Sequence, residues 1–393
     1  MRLRTFAFVA AILLLGQPTL TPRSAQAAHM VTVVGTKSAT CPNPDFATIQ
    51  AAVDAATPGT TIRICEGTYP EQVKITKAIT LRGDNGAVIE PTGVAANTTG
   101  PSSGAPIAAV VLVEGATDVD ISDLIVDGTN NGITGCAPTF VGIFYENASG
   151  DVERVAVRNV KLSASLDGCQ SGDAILVDSG SGQMSVVDVE DSSIHDYQKN
   201  GITANDSGTK VEIVHNVVTG LGATTGAAQN GIQVGFGAGG HITRNTVSDN
   251  VFSPCISVSV CAATGEGILI FQSDNVTVER NTVDVSQVGI GVNGNHAHVF
   301  DNRVSGTLVG DGIDLLGSDS DARENRIVNS ARAGVFIAGN DNDVDQNQIN
   351  EADFGVLKVT GSTGNVIADN EIFNTSVKVQ DPSAKGLTAS PIH

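Results

Sequence analysis

Between Gly265 and Ile372 the apolar positions fall in short alternating runs that return at a nearly fixed interval. Gly267, Gly289, Gly312, Gly334 and Gly355 are separated by 22, 23, 22 and 21 residues, and Ile or Val follows each of them. A second column runs through the same repeats, where Asn281, Asn302, Asn325, Asn347 and Asn370 each precede, by two positions, a Val or Ile. Segments of period two repeating every twenty-odd residues, with no helical spacing, predict a solenoid of short parallel strands. Alternation then assigns faces: the residue after each glycine points inwards, which stacks Ile202, Ile232, Ile268, Ile290, Ile313, Val335 and Val356 into one core.

The same pattern extends upstream with weaker matches. Asn200-Gly201-Ile202 and Asn230-Gly231-Ile232 open two further turns, and Asp173-Ala174-Ile175 and Val141-Gly142-Ile143 occupy the same slot. From Ile62 to Ile372 this amounts to about ten or eleven turns of an all-β solenoid. Ahead of them, Asp45 to Ala56 places Phe46, Ile49, Ala52 and Val53 on one helical face before Pro58-Gly59. A solenoid exposes an open core at its end, so this segment is expected to be an N-terminal capping helix. The Asn column is expected to be a ladder of side-chain amides at one corner, since Asn tolerates the left-handed conformation and bonds neighbouring backbone.

Three stretches carry a resemblance. Thr48-Ile49-Gln50-Ala51-Ala52-Val53, Glu66-Gly67-Thr68-Tyr69-Pro70-Glu71-Gln72-Val73 and Ile79-Thr80-Leu81-Arg82-Gly83 resemble the opening of right-handed parallel β-helix proteins of the pectin-lyase-like superfamily. Gly67, Tyr69 and Glu71 match the G-x-Y-x-E box of pectin methylesterases. The catalytic boxes of the methylesterases, polygalacturonases, mannuronan epimerases and pectate lyases are absent. The resemblance therefore implies the fold and an extended polysaccharide as ligand, and leaves the activity open.

Residues 1–27, with Arg2 and Arg4 ahead of an apolar run from Phe6 to Leu15 and Ala25-Gln26-Ala27 at the end, read as a secretory signal. The expected organisation is a cap over 28–60, the β-helix over 61–376 and a loose tail over 377–393. No later run reaches the roughly 20 apolar residues of a membrane span. The chain is expected to be secreted, extracellular or periplasmic. Without Arg2, Arg4 and Arg23, 19 basic side chains face 42 acidic ones, an imbalance that repels nucleic acid and anionic membranes. The six cysteines are expected to be disulfides, paired by proximity as Cys41 with Cys65, Cys136 with Cys169 and Cys255 with Cys261.

The spacing breaks at one place in the turn. Residues 127–140, 163–172, 219–229 and 248–265 all lie between the Asn-x-Val strand of one turn and the glycine strand of the next. Insertions at one corner stand side by side as a wall, and a wall beside a flat sheet makes a groove. The outward positions of the glycine strand facing it are polar from Asp173 through Asn200, Asn230, Gln233 and Glu266 to Asp311 and Asp314, then apolar. Glu266, Asp311 and Asp314 are candidate calcium ligands, or two of them a general acid and base. His195 and Lys199 are candidate bases for proton abstraction, and Tyr197 a substrate contact with Asn200, Asn230, Gln233 and Asp173. The expected functions are a polysaccharide lyase or other glycan-modifying enzyme, or alternatively a non-catalytic glycan-binding or cell-surface module. Three Met and seven His without clustering disfavour a metal-delivering β-helix.

Overall fold

The computed structural model describes residues 30–255, 261 and 263–380; the signal segment and most of the expected tail lie outside them. Short strands wind into a coil in which every turn pairs in parallel with the next. One face stacks 13 strands: twelve from Thr60–Ile64 to Val366–Ala368, slightly more than the count from Ile62, and Val31–Val34, which pairs with the first of them inside the expected cap region. The remaining 22 strands form two lanes, merged into one sheet where Arg326–Ile337, Gln348–Lys358 and Glu371–Gln380 run through the corner between them. Strands linked by such crossovers form a right-handed coil.

The core is the predicted stack. Ile202, Ile232, Ile268, Ile290, Ile313, Val335 and Val356 are fully buried and in register. At the neighbouring corner the Asn column forms an unbroken ladder from Asn216 to Asn370. Each amide N–H and backbone N–H donates to Oδ1 of the Asn one turn on, for example Asn281 to Asn302 at 3.0 and 2.9 Å and Asn302 to Asn325 at 3.0 and 3.0 Å. Repetition satisfies every buried amide, which is why Asn can occupy an interior column.

The capping helix spans Ile49–Ala55, with Thr48 as its N-cap. Here the methylesterase-like box has a structural use. Both carboxylate oxygens of Glu71 accept from the first helical amides, Ile49 N at 2.8 Å and Gln50 N at 2.9 Å, and Tyr69 Oη donates to Cys65 O at 2.7 Å. The three proximity pairings of the cysteines are those of the structure.

Two boundaries differ from expectation. The tail does not begin at 377, because Val377 and Val379 pair with Phe354 and Val356 and continue the coil to Gln380. Parts of two insertions are extended strand: Gly222, Ala223 and Thr224 pair with Asn250, Val251 and Phe252, since adjoining extensions supply each other's hydrogen bonds.

Candidate functional site

The insertions do stand on one corner, tied down by features that spacing alone did not reveal. Cys136–Cys169 joins the first two, and Ala227 N donates to Asp167 O at 2.8 Å, joining the second to the third. Buried glutamines at the base of the wall hold the loop backbone. Gln198 Nε2 donates to the carbonyls of Leu166 and Cys169 at 2.8 and 2.9 Å. Gln229 Nε2 donates to Tyr197 O at 2.7 Å, and Gln287 Nε2 to Cys255 O at 3.1 Å.

Below the wall the glycine strands Asp173–Asp178, Asn200–Asn205, Asn230–Gly235, Glu266–Phe271, Val288–Asn293 and Ile313–Leu315 form a flat face. Asp173, Asn200, Asn230 and Glu266 stack in one outward column. Thr203, Gln233, Leu269, Gly291 and Asp314 stack in the next. Two outward apolar clusters bound this polar window: Ile107, Ala109, Leu112, Val141, Phe144 and Leu176 on the N-terminal side, and Ala333, Phe336 and Leu357 on the C-terminal side.

A cleft of about 340 Å³ lies in the window, lined among others by Lys199, Asn200, Asn230, Gln233, Glu266 and Asp314, with Ala263 and Thr264 from the wall. Glu266 Oε2, Asp314 Oδ1 and Asn200 Oδ1 are buried there and have no hydrogen-bond partner. Native folds satisfy such atoms, so three unpaired acceptors facing one cleft mark a place where something else supplies the donors. Gly291 makes the arrangement possible. A Cβ at that position would lie 2.1 Å from Glu266 Oε2, so the missing side chain is the space that Glu266 occupies on its way towards Asp314. In the sequence the sign was a lone glycine between Leu269 and Asp314 in an outward column.

Burial pushes the Glu266 carboxyl up to about 7, with the Thr264 hydroxyl and Lys199 opposing. Asp173 is pushed up to about 6 by burial, against Lys199. Asp314 is held well above the carboxylate range by burial and by the Asp311 carboxylate beside it. Lys199 is lowered by burial, against Asp173 and Glu266, and its ammonium donates to Ala228 O at 2.8 Å.

Several expected participants stand elsewhere. Asp311 is fully buried, and the Arg332 guanidinium grips it from two nitrogens, Nε at 2.8 Å and Nη2, while Ala333 N donates to it at 2.8 Å. It anchors the turn and is not part of the cleft lining. Among the described residues no group of three or more His, Cys, Asp or Glu side chains is arranged to hold a metal ion. His195 lies on the adjoining lane, bonded to Asp196 at 2.7 Å and away from the cleft. Tyr197 points into the coil, where its hydroxyl donates to Asn250 Oδ1 at 2.7 Å. Lys199 lines the cleft with Asn200 and Asn230, and Asp173 stands one rung to the N-terminal side, outside its lining.

The A-module of the mannuronan C-5 epimerase AlgE4 from Azotobacter vinelandii superposes with a TM-score of 0.54 at 16% identity, covering 84% of this chain and 92% of that one. The native GH136 lacto-N-biosidase from Eubacterium ramulus gives 0.63 at 12% identity, covering 88% and 68%. The fold is a right-handed parallel β-helix. The Dettilon tailspike protein is similar to this β-helix as well, with a TM-score of 0.57 at 14% identity, covering 82% and 63%. A family described as periplasmic copper-binding protein (NosD) matches residues 255–388, the stretch in which the Gly and Asn columns recur. No curated protein matches the chain. The β-helix carries three disulfides, which fits a compartment outside the reducing cytosol, and among its described residues no helix is long and apolar enough to cross a membrane.

Proposed function

We propose that this exported β-helix binds an extended glycan along the walled face and cleaves a glycosidic bond, with Glu266 and Asp314 as the carboxyl pair. The observation that carries the reading is that both side chains turn unpartnered buried oxygens into one cleft across Gly291. Glycoside hydrolysis needs two carboxyl groups flanking the bond, one of them protonated at working pH. Burial pushes Glu266 up to about 7 and raises Asp314 in the same direction, which supplies a protonated acid near neutrality. Similar folds in a lacto-N-biosidase and an epimerase agree with a glycan ligand.

A neutral glycan fits better than the uronate polymer that the resemblance suggested. Lys199 faces Asp173 and Glu266 and is already bonded to Ala228 O, so it is poorly placed to neutralise a chain of carboxylates. The test is incubation of purified protein with neutral oligosaccharides and with uronate polymers, with and without calcium. New reducing ends from a neutral glycan, lost in Glu266→Gln and Asp314→Asn, are expected. Unsaturated uronate products that require Lys199 would overturn the hydrolytic reading in favour of a lyase. Binding without turnover would leave a non-catalytic glycan module. The family match favours a copper-handling alternative, which tight copper binding with no glycan binding would establish.

A further inference from the structure

We propose that Phe236 is an aromatic platform on which one sugar ring of a neutral oligosaccharide stacks, between two adjoining binding clefts. The inference rests on the glycan reading above. A second cleft, of about 480 Å³, adjoins the first on the N-terminal side, with Gln170, Asp173, Thr203 and Asn205 in its lining. Lys199, Asn200 and Phe236 line both clefts, so the two meet at these residues.

Phe236 is anomalous in three respects. It occupies a turn at which the preceding and following rungs carry Asp206 and Gln272, all three left-handed, with φ of 71, 57 and 52°. Asp reaches that region through local hydrogen bonds, whereas a bulky ring has no such compensation, and strain of this kind persists where the surroundings enforce it for a use. The enforcement is visible: Phe236 N donates to Phe271 O at 2.8 Å and Gly237 N to Gln272 O at 2.9 Å. Second, the side chain is 48% exposed and belongs to none of the apolar clusters that hold the coil together. Third, its ring meets that of Phe271 edge-on, with centroids 5.2 Å apart at 70°, so its orientation is fixed without being covered. A fixed, half-exposed ring amid amides and carboxyls suits a pyranose. The electron-rich face attracts the partly positive C–H face of the sugar, while the surrounding polar groups take its hydroxyls.

The geometry also gives a length. From Asp173 to Asp314 the outward columns climb five rung steps, about 24 Å at the usual strand spacing. A pyranose in an extended chain advances by about one strand spacing, so the joined clefts accommodate about five sugars, with Phe236 near the middle. The ligand class is therefore a neutral oligosaccharide long enough to pass over Phe236, not a mono- or disaccharide held in one cleft.

The experiment uses the full-length Glu266→Gln protein, which leaves the glycan intact. It is probed with an array of neutral oligosaccharides graded from disaccharides to hexasaccharides, and the bound series is then titrated by calorimetry. Affinity should step up by about tenfold or more once the chain spans both clefts. Phe236→Ala and Phe236→Gly should both abolish the step, Gly also relieving the backbone strain, and Phe236→Trp should keep it. Thermal midpoints at or above that of the parent establish that the variants are folded. A length step that survives in Phe236→Ala and Phe236→Gly overturns the platform alone. No binding to a glycan of any length by either the Glu266→Gln parent or the wild-type protein overturns the groove reading and the platform with it.

Discussion

Two regions of one coil use the same backbone differently. From Asn281 to Asn370 the turns are nearly identical, and each buried polar side chain of the corner column is answered by its copy one turn away. From Asp173 to Glu266 the turns are stretched by insertions, and outward positions there, with Asp314 just beyond, hold carboxyl and amide oxygens that nothing answers. Regular stacking satisfies the corner amides through repetition, while the small hydroxyls of Ser286, Thr307 and Ser330 are buried without a partner in the same turns. Where a polar residue meets an apolar one on the next rung, as Glu266 meets Val288 and Asp314 meets Phe336, an unsatisfied group can persist, and a ligand can complete it. The contrast separates residues that build the coil from residues that the coil presents.

The contrast breaks most directly at the cleft. Glu266→Gln should lower glycosidic turnover by about 10²–10⁴-fold, the usual contribution of a general acid or base. Its thermal midpoint should stay level or rise, because a buried acid with one oxygen unpaired is replaced by a neutral amide; a large fall would assign Glu266 to the scaffold. Next in size is Arg332→Ala. It strands the buried Asp311 carboxylate and should destabilise the fold by about 3–5 kcal/mol in denaturant melts. In the regular region, Asn302→Ala removes an amide that serves Val278 O, Asn281 and Asn325. About 1–3 kcal/mol of stability should be lost with no change in glycan affinity.

The smallest expected effect is a slope with pH. Asp173, Glu266 and Asp178 have folded values of about 6, 7 and 8, each above its ordinary value. Between the ordinary and folded values the native state holds more protons than the unfolded chain, so stability falls as pH rises through this window. It is fully present below about pH 4 and lost by about pH 8. Melting temperatures over that range should decline, and Glu266→Gln should flatten the segment up to neutrality.

The fold was legible because a solenoid writes its period into the chain: the Gly and Asn columns, the inward Ile stack and the capping helix all follow from alternation and spacing. The wall was legible as added length at one corner. Less visible were the partners. Asp311 reads like Asp314 in sequence, yet a guanidinium 21 residues on claims it. His195 and Tyr197 sit beside Lys199 in the chain, but a corner turns one to another lane and the other inwards. Gly291 and Phe236 passed without notice because their meaning lies in what neighbouring turns do: one yields space to Glu266, the other holds a ring in a turn built for Asp or Gln.

The most direct test of the central claim is calorimetric titration of a bound neutral oligosaccharide into the wild-type protein and into the Glu266→Gln, Asp314→Asn double variant. Loss of the hydrogen bonds to these two carboxyls should weaken binding by about 10–100-fold with the fold intact. An unchanged affinity would contradict the account, because the unpaired oxygens would then have no part in holding a glycan.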